Sequence, residues 1–257
     1  MIINSERGFT IIELMLFLAI TGALFAALMI GVNSGITQQR YLDSVRSYKS
    51  LLQNQYSEVL NTRNSDDPTW KCVNSTTKGK VDKVENVDSG DRDPRGTSQC
   101  VILGRAISIS NGGKTVTTAS VTGDGYTVQD DSKDDIAVIK SFSPQIGEYD
   151  ADKTEIDWGA YLIPATQQTG SSASTAVIVI VRSPATGAIR IFTADHELRS
   201  TDVKTAIDNG ELSSTNVLQN CIKGDSGQLP KQLISIDPRI ASPDAVSVDG
   251  GSNEVCQ

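Results

Sequence analysis

The chain has 257 residues, enough for one large domain or two small ones. Its 23 Lys+Arg against 31 Asp+Glu leave a formal charge of −8, which disfavours a general nucleic-acid-binding role. Apolar residues at 38% and aromatics at 5% exclude a polytopic membrane protein, and neither collagen-like composition nor disorder throughout fits. A single His, with no Cys-x-x-Cys or His-x-x-x-His spacing, argues against a zinc site. Four cysteines in a loop-rich chain suit two disulfides in an oxidising compartment.

The apolar content is concentrated at the N-terminus. Phe9–Val32 reads FTIIELMLFLAITGALFAALMIGV, about 24 residues whose only charge is Glu13. As a helix this stretch is roughly 36 Å long, sufficient to cross a bilayer core of about 30 Å. TAVIVIVRS, the other apolar run, is short and β-branched and reads as a buried strand. One membrane-spanning helix is therefore expected. A secretory signal peptide is cut after its apolar core, whereas here the small residue Gly8 precedes the core. Cleavage between Gly8 and Phe9 removes a polar leader and keeps the apolar helix.

Gly8-Phe9-Thr10-Ile11-Ile12-Glu13-Leu14-Met15 resembles the prepilin-peptidase recognition sequence of the type IV pilin and pseudopilin family. The resemblance implies that Gly8 is the last leader residue and Phe9 the N-methylated first residue of the mature chain. It also implies that Glu13 is the acid at mature position five. The physical case for Glu13 stands beside the resemblance. A carboxylate within an apolar helix costs a few kcal/mol unless it finds a partner. After cleavage the α-amino group of Phe9 lies one turn away and can pair with it, in the same or a neighbouring subunit. Such a pair sets axial register as a buried polar residue does in a coiled coil.

Beyond Val32 the helix turns amphipathic: Tyr41, Val45, Tyr48, Leu52, Tyr56 and Val59 recur every three or four residues, with Arg40, Asp43, Arg46, Lys49 and Glu58 between them. Asp66-Asp67-Pro68 is the expected stop, so the helix from Phe9 to about Thr62 measures about 80 Å. Many major pilins carry a helix-loosening Gly and, further on, a Pro. Here Gly22 is present, Ile30 stands at the Pro-equivalent place, and Gly31 follows; each glycine weakens the helix by about 1 kcal/mol relative to Ala. Several minor pilins and pseudopilins also lack that Pro, whereas retention of Glu13 argues against the tip pseudopilin.

Thr69 to about Gly96 is polar and turn-rich. β-branched runs follow at 101–110, 114–121, 126–129, 136–142, 158–164, 176–182 and 188–193, the last two joined by the hairpin connection Ser183–Gly187. Residues 170–175 read as a flexible loop, and Ser200-Thr201-Asp202 to Asn209-Gly210 as a short capped helix. After Gly210 the chain reads as mostly irregular, with Pro230, Pro238 and Pro243. Four cysteines allow three pairings. The sequence-local one, Cys72–Cys100 with Cys221–Cys256, is favoured because it is similar to the C-terminal disulfide-bounded region of many pilins.

Other patterns carry weaker chemistry. Gly224-Asp225-Ser226-Gly227 has the form found around a serine-protease nucleophile, but His196 is the sole histidine and lacks the usual flanking residues; a polar turn and a solvated strand end explain both better. The clusters Asp88/Asp91/Asp93 and Asp130/Asp131/Asp134/Asp135 miss the spacing of an EF-hand calcium loop and read as solvated acids. Lys71, Lys78, Lys80 and Lys83 form a local basic group with only Trp70 interleaved.

The expected architecture is α+β, with the type IV pilin fold: a long N-terminal helix, its apolar half a stalk, packed on an antiparallel sheet with disulfide-bounded loops. The expected segments are leader 1–8, filament-core helix 9–32, amphipathic helix 33–66 and globular domain 67–257. The resemblance implies a non-enzymatic pilus subunit, without cofactor or metal, held in the cytoplasmic membrane before joining a surface filament. Implied partners are copies of itself through the N-terminal helices, the prepilin peptidase/N-methyltransferase, an assembly ATPase and a platform protein. Alternatives are a minor pilin or secretion pseudopilin, a filament-carried adhesin, and a single-pass anchored enzyme.

Overall fold

The computed structural model describes residues 10–61, 70–73, 80–83, 100–125, 134–165, 175–224, 229, 231–249 and 256. Helix α1 runs unbroken over Ile11–Leu60. The chain divides into two units, Met1–Asp43 and Ser44–Gln257, each described by itself. In the first, α1 is apolar and almost wholly exposed, with Ile11 at 77% and Phe17 at 65%. It is the one helix among the described residues long and apolar enough to cross a membrane. Tyr41, Val45, Tyr48, Leu52, Tyr56 and Val59, the amphipathic stripe, are all buried.

In the second unit the main sheet has the order β5-β4-β3-β8-β9, with β6 also paired to β4, and every pairing is antiparallel. Its strands are β3 (Cys100–Ser110), β4 (Thr115–Asp124), β5 (Gln145–Ile146), β6 (Asp152–Glu155), β8 (Ala176–Arg182) and β9 (Ile189–Ala194). Alternation divides β8 between two faces. Val177, Val179 and Val181 join Leu103, Val121 and Phe192 in one core, closed by Val138 and Ile139 of α2 (Asp135–Ser141), by Phe142 at its C-terminal cap, and by Val203 and Ala206 of α3 (Val203–Asp208). Ile178 and Ile180 point the other way. They share that face with Arg105 and Ile107 of β3, and Arg105 reaches Gln55 and Glu58 on α1. Covering both faces explains why β8 is buried from Ala176 to Val181.

A second antiparallel sheet has the order β12-β11-β10-β7, from β7 (Tyr161–Pro164), β10 (Leu218–Lys223), β11 (Gln232–Ile236) and β12 (Val246–Asp249). Its small core gathers Ala165, Cys221, Leu233 and Cys256. The sheets meet at the β3–β4 turn, where the Leu162 amide donates to the Gly113 carbonyl at 2.9 Å. Gly113 has φ +81°, and an added Cβ would stand 2.0 Å from the Leu162 carbonyl oxygen, so only glycine fits. A separate hairpin pairs β1 (Trp70–Val73) with β2 (Lys80–Lys83).

Two sequence expectations are corrected. The run 136–142, read as a strand, is helix α2 up to Ser141 with Phe142 as its C-terminal cap: the Asp134 carboxylate accepts from the Ile136 amide at 3.3 Å, and Val138, Ile139 and Phe142 are buried at helical spacing. The region after Gly210, read as irregular, supplies β10, β11 and β12. These strands are short, and partners distant in sequence define them more than local pattern does. The expected stop at Asp66-Asp67-Pro68, the run at 126–129 and loop residues 170–174 lie outside the described residues.

Candidate functional site

The N-terminal recognition sequence is described from Thr10 onward; Gly8 and Phe9 lie outside the described residues. Thr10 precedes α1, and its Oγ1 accepts from the Glu13 backbone amide at 3.3 Å. Thr10-Ile11-Ile12-Glu13 thus has the form of an N-terminal capping box, a role for Thr10 that sequence reading missed although the T-x-x-E signal was present. Glu13 lies in the first helical turn, where a negative charge favours the positive end of the helix dipole. Its side chain is exposed, as are Leu14, Met15, Phe17, Leu24, Phe25 and Met29 around it and beyond. Apolar side chains of this size, exposed on every side of a helix, need either lipid or other protein around them. Gly22 and Gly31 have open space where a Cβ would stand, so no packing inside the subunit requires a glycine at either place.

The two disulfides close Cys72–Cys100 and Cys221–Cys256. The first ties the β1–β2 hairpin to the start of β3. The second ties the middle of β10 to the penultimate residue.

The decoys resolve into structural parts. His196 is exposed beyond β9, 3.0 Å from Asp195, and Ser226 lies outside the described residues. Asp134 caps α2. Asp135 accepts from Thr186 Oγ1 and from Arg190 Nη2, both at 2.7 Å. Those hydrogen bonds, that from Thr186 first, hold its carboxyl below the usual carboxylate range. The remaining acids of both clusters lie outside the described residues. Among the described residues no group of three or more His, Cys, Asp or Glu is placed to hold a metal. Lys71, Lys80 and Lys83 lie on the β1–β2 hairpin, and Lys78 is outside the described residues.

A polar cluster that sequence reading did not find fastens α1 to the main sheet. Arg105 Nε lies 3.1 Å from Glu58 and 3.2 Å from Gln55, while its Nη1 donates to Asp150 at 2.6 Å and to Ser120 at 3.0 Å. Asp150 also accepts from the Ser120 amide at 2.9 Å. No local pattern announces this cluster, because its members come from four separate stretches of chain. An open cleft of about 700 Å³ lies where Val101–Leu103, Phe142 and the Arg182–Gly187 turn meet. A small cavity of about 20 Å³ lies beside Ser44, Ser47 and Tyr48, against Val116 and Thr154–Asp157.

Residues 3–29 match the family described as the prokaryotic N-terminal methylation motif, the signature of prepilins and pseudopilins. No curated protein and no solved structure matches the chain. That motif supports a prepilin of the type IV pilin or pseudopilin kind, a kind of structural protein not known as an enzyme. A long apolar N-terminal helix, an antiparallel sheet domain and two disulfides are consistent with the type IV pilin fold. The motif implies processing by prepilin peptidase, and with the apolar helix it fits membrane anchoring before assembly.

Proposed function

We propose that this chain is a structural subunit of a type IV pilus filament. One observation carries the reading: the methylation motif stands at the head of a helix whose large apolar residues, from Ile11 to Val32, are exposed all round. In the cytoplasmic membrane lipid covers that surface. After removal of Met1–Gly8 and N-methylation of Phe9, the same residues from neighbouring subunits cover it in a homopolymer extending from the cell surface. An assembly ATPase and a platform protein extract the subunit. Glu13 pairs with the new α-amino group of Phe9 and sets axial register. In this reading 1–8 is the leader, 9–32 the filament-core helix, 33–66 the amphipathic helix and 67–257 the outward globular domain. Catalysis is not part of the role, and the filament presents the globular domain outward.

Ile30 at the place of the usual Pro, in a helix unbroken from Ile11 to Leu60, also suits a minor pilin or secretion pseudopilin. Mass spectrometry of intact subunits from sheared surface filaments separates the readings. A dominant species beginning at methylated Phe9 supports the filament subunit. A trace amount of the cut form favours the minor subunit, and an uncut chain confined to the membrane overturns both. Glu13→Ala is expected to be cleaved normally and lost from filaments.

A further inference from the structure

Arg105, Arg190, Arg199 and Arg239 each pair with a carboxylate. Arg182, at the end of β8, is exposed and pairs with none among the described residues. Its Nε donates to the Gly187 carbonyl at 3.3 Å, which leaves its two terminal amino groups without a partner there. Gly187 has φ +74°, and a Cβ added to it would stand 3.2 Å from Arg182 Nη2, so the guanidinium rests against a residue with no side chain. The turn beneath it is fastened. The Ser183 amide donates to the Ala188 carbonyl and the Gly187 amide to the Ser183 carbonyl, each at 2.8 Å, while Thr186 Oγ1 donates to Asp135. An arginine fork held on a fixed turn and lacking an anion suits a carboxylate from outside.

The cleft beside it also exposes a strand edge. β8 ends at Arg182, and its pairing with β3 stops at Gly104 opposite Val181. Farther along β3, Val101 and Ile102 pair with Gly123 and Thr122 of β4, and Leu103 is the extra residue of a bulge. No strand among the described residues lies along their other edge, and all three line the cleft of about 700 Å³ together with Arg182. An unpaired edge is a template for a further strand: main-chain hydrogen bonds supply affinity, and neighbouring side chains select residues. Here Val101, Ile102 and Ala185 are half-buried, and Arg182 is the one charged residue among those described at the cleft. Aliphatic walls take water from the hydroxyls of a sugar without replacing its hydrogen bonds, whereas a peptide of apolar residues with one acid satisfies edge, walls and cation together. We infer that the cleft binds an extended segment of a partner protein as a strand added along Val101–Leu103, with an aspartate or glutamate side chain of that segment on Arg182. The inference does not depend on the filament reading.

The test titrates the full-length chain, dispersed in detergent, into an end-blocked hexapeptide of alternating valine and threonine with one aspartate, labelled with an uncharged dye. Blocked ends leave the aspartate as the only charge on the peptide. Fluorescence anisotropy is expected to saturate with a dissociation constant of about 0.1 mM, fitting a few main-chain hydrogen bonds and one ion pair. Asparagine in place of the aspartate, and separately Arg182→Gln, each weaken binding about tenfold or more, and the two together add no further loss. Methylating alternate main-chain nitrogens of the peptide abolishes binding. Arg182 is exposed and hydrogen-bonds only to the nearby Gly187 carbonyl, so the variant melts within about 2 °C of the wild type. No binding at about 1 mM, equal binding of the aspartate and asparagine peptides, or unchanged binding after methylation overturns the inference. Displacement of the peptide by an equal concentration of glucuronate overturns it too, and makes the cleft a site for a sugar acid.

A second measurement needs no variant of the chain. The same peptide carrying a benzophenone is irradiated on the wild-type chain, and the cross-linked residues are read by mass spectrometry. Cross-links within 101–103 and 182–187 are expected. Cross-links confined to other parts of the chain overturn the assignment.

Discussion

Arg105 shows how much one side chain can decide. Its side chain is 15% exposed and that of its partner Asp150 19%, so little water screens the 2.6 Å contact between them. Removing the cation leaves a largely buried carboxylate without its charge partner, a change that typically costs about 3–5 kcal/mol. Arg105→Met is therefore expected to lower stability by about 2–4 kcal/mol, discounting for partial exposure. Arg105→Met combined with Asp150→Asn should recover part of that loss; thermal denaturation of the single and double variants checks this. Asp135 supplies the pH dependence. Hydrogen bonds from Thr186 and Arg190 hold its folded carboxyl below the unfolded value. Its contribution is present above the unfolded value near 4 and is lost as pH falls through the lower folded one. Acid titration followed by circular dichroism should show stability declining below about pH 4, less steeply in Asp135→Asn. Neither residue announces its role in sequence: Asp135 sits in an acidic run that reads as solvated, and its partners lie about fifty residues away.

At the scale of the element, α1 is two helices in one. Its apolar half has no polar face, and the half beyond Ser44 is a stripe every three or four residues that buries Tyr48, Leu52, Tyr56 and Val59. The Tyr48 and Tyr56 hydroxyls are buried without a hydrogen-bond partner among the described residues. Burial pushes both phenols upward in pKa. The unfolded chain ionises near pH 10 while these folded tyrosines stay protonated, so stability falls as pH rises above about 10. Absorbance of the ionised phenol should appear together with loss of helical circular dichroism. Tyr48→Phe with Tyr56→Phe should move that transition to higher pH. Because the hydroxyls have no hydrogen-bond partner among the described residues, the same pair of changes should leave neutral-pH stability unchanged or raise it by about 1 kcal/mol. The stripe was legible from its period alone. The strand read at 136–142 was not a strand, because Ile136, Val138 and Ile139 fit either period until the Asp134 cap and the burial of Phe142 select the helix.

For the whole molecule, the disulfides and the two sheets set which distant stretches meet. Cys221 is fully buried in the core of the smaller sheet, and its bond to Cys256 closes a loop of 35 residues. Cys221→Ser with Cys256→Ser is expected to cost about 3–4 kcal/mol by the chain-entropy account, read as a lower denaturation midpoint. The sequence by itself determined the methylation motif, the exposed apolar helix after it, the amphipathic stripe, the strands at β3, β4, β8 and β9, and the capped α3. Each of these rests on residues adjacent in the chain, whose spacing, caps and turn residues act locally. Only the tertiary structure decided that the main sheet is covered on both faces, that β10, β11 and β12 form a second sheet, that Arg105 joins α1 to Asp150, and that β8 ends short of Val101–Leu103. Each of those depends on groups far apart in sequence, brought together by burial and long-range pairing that no local pattern encodes.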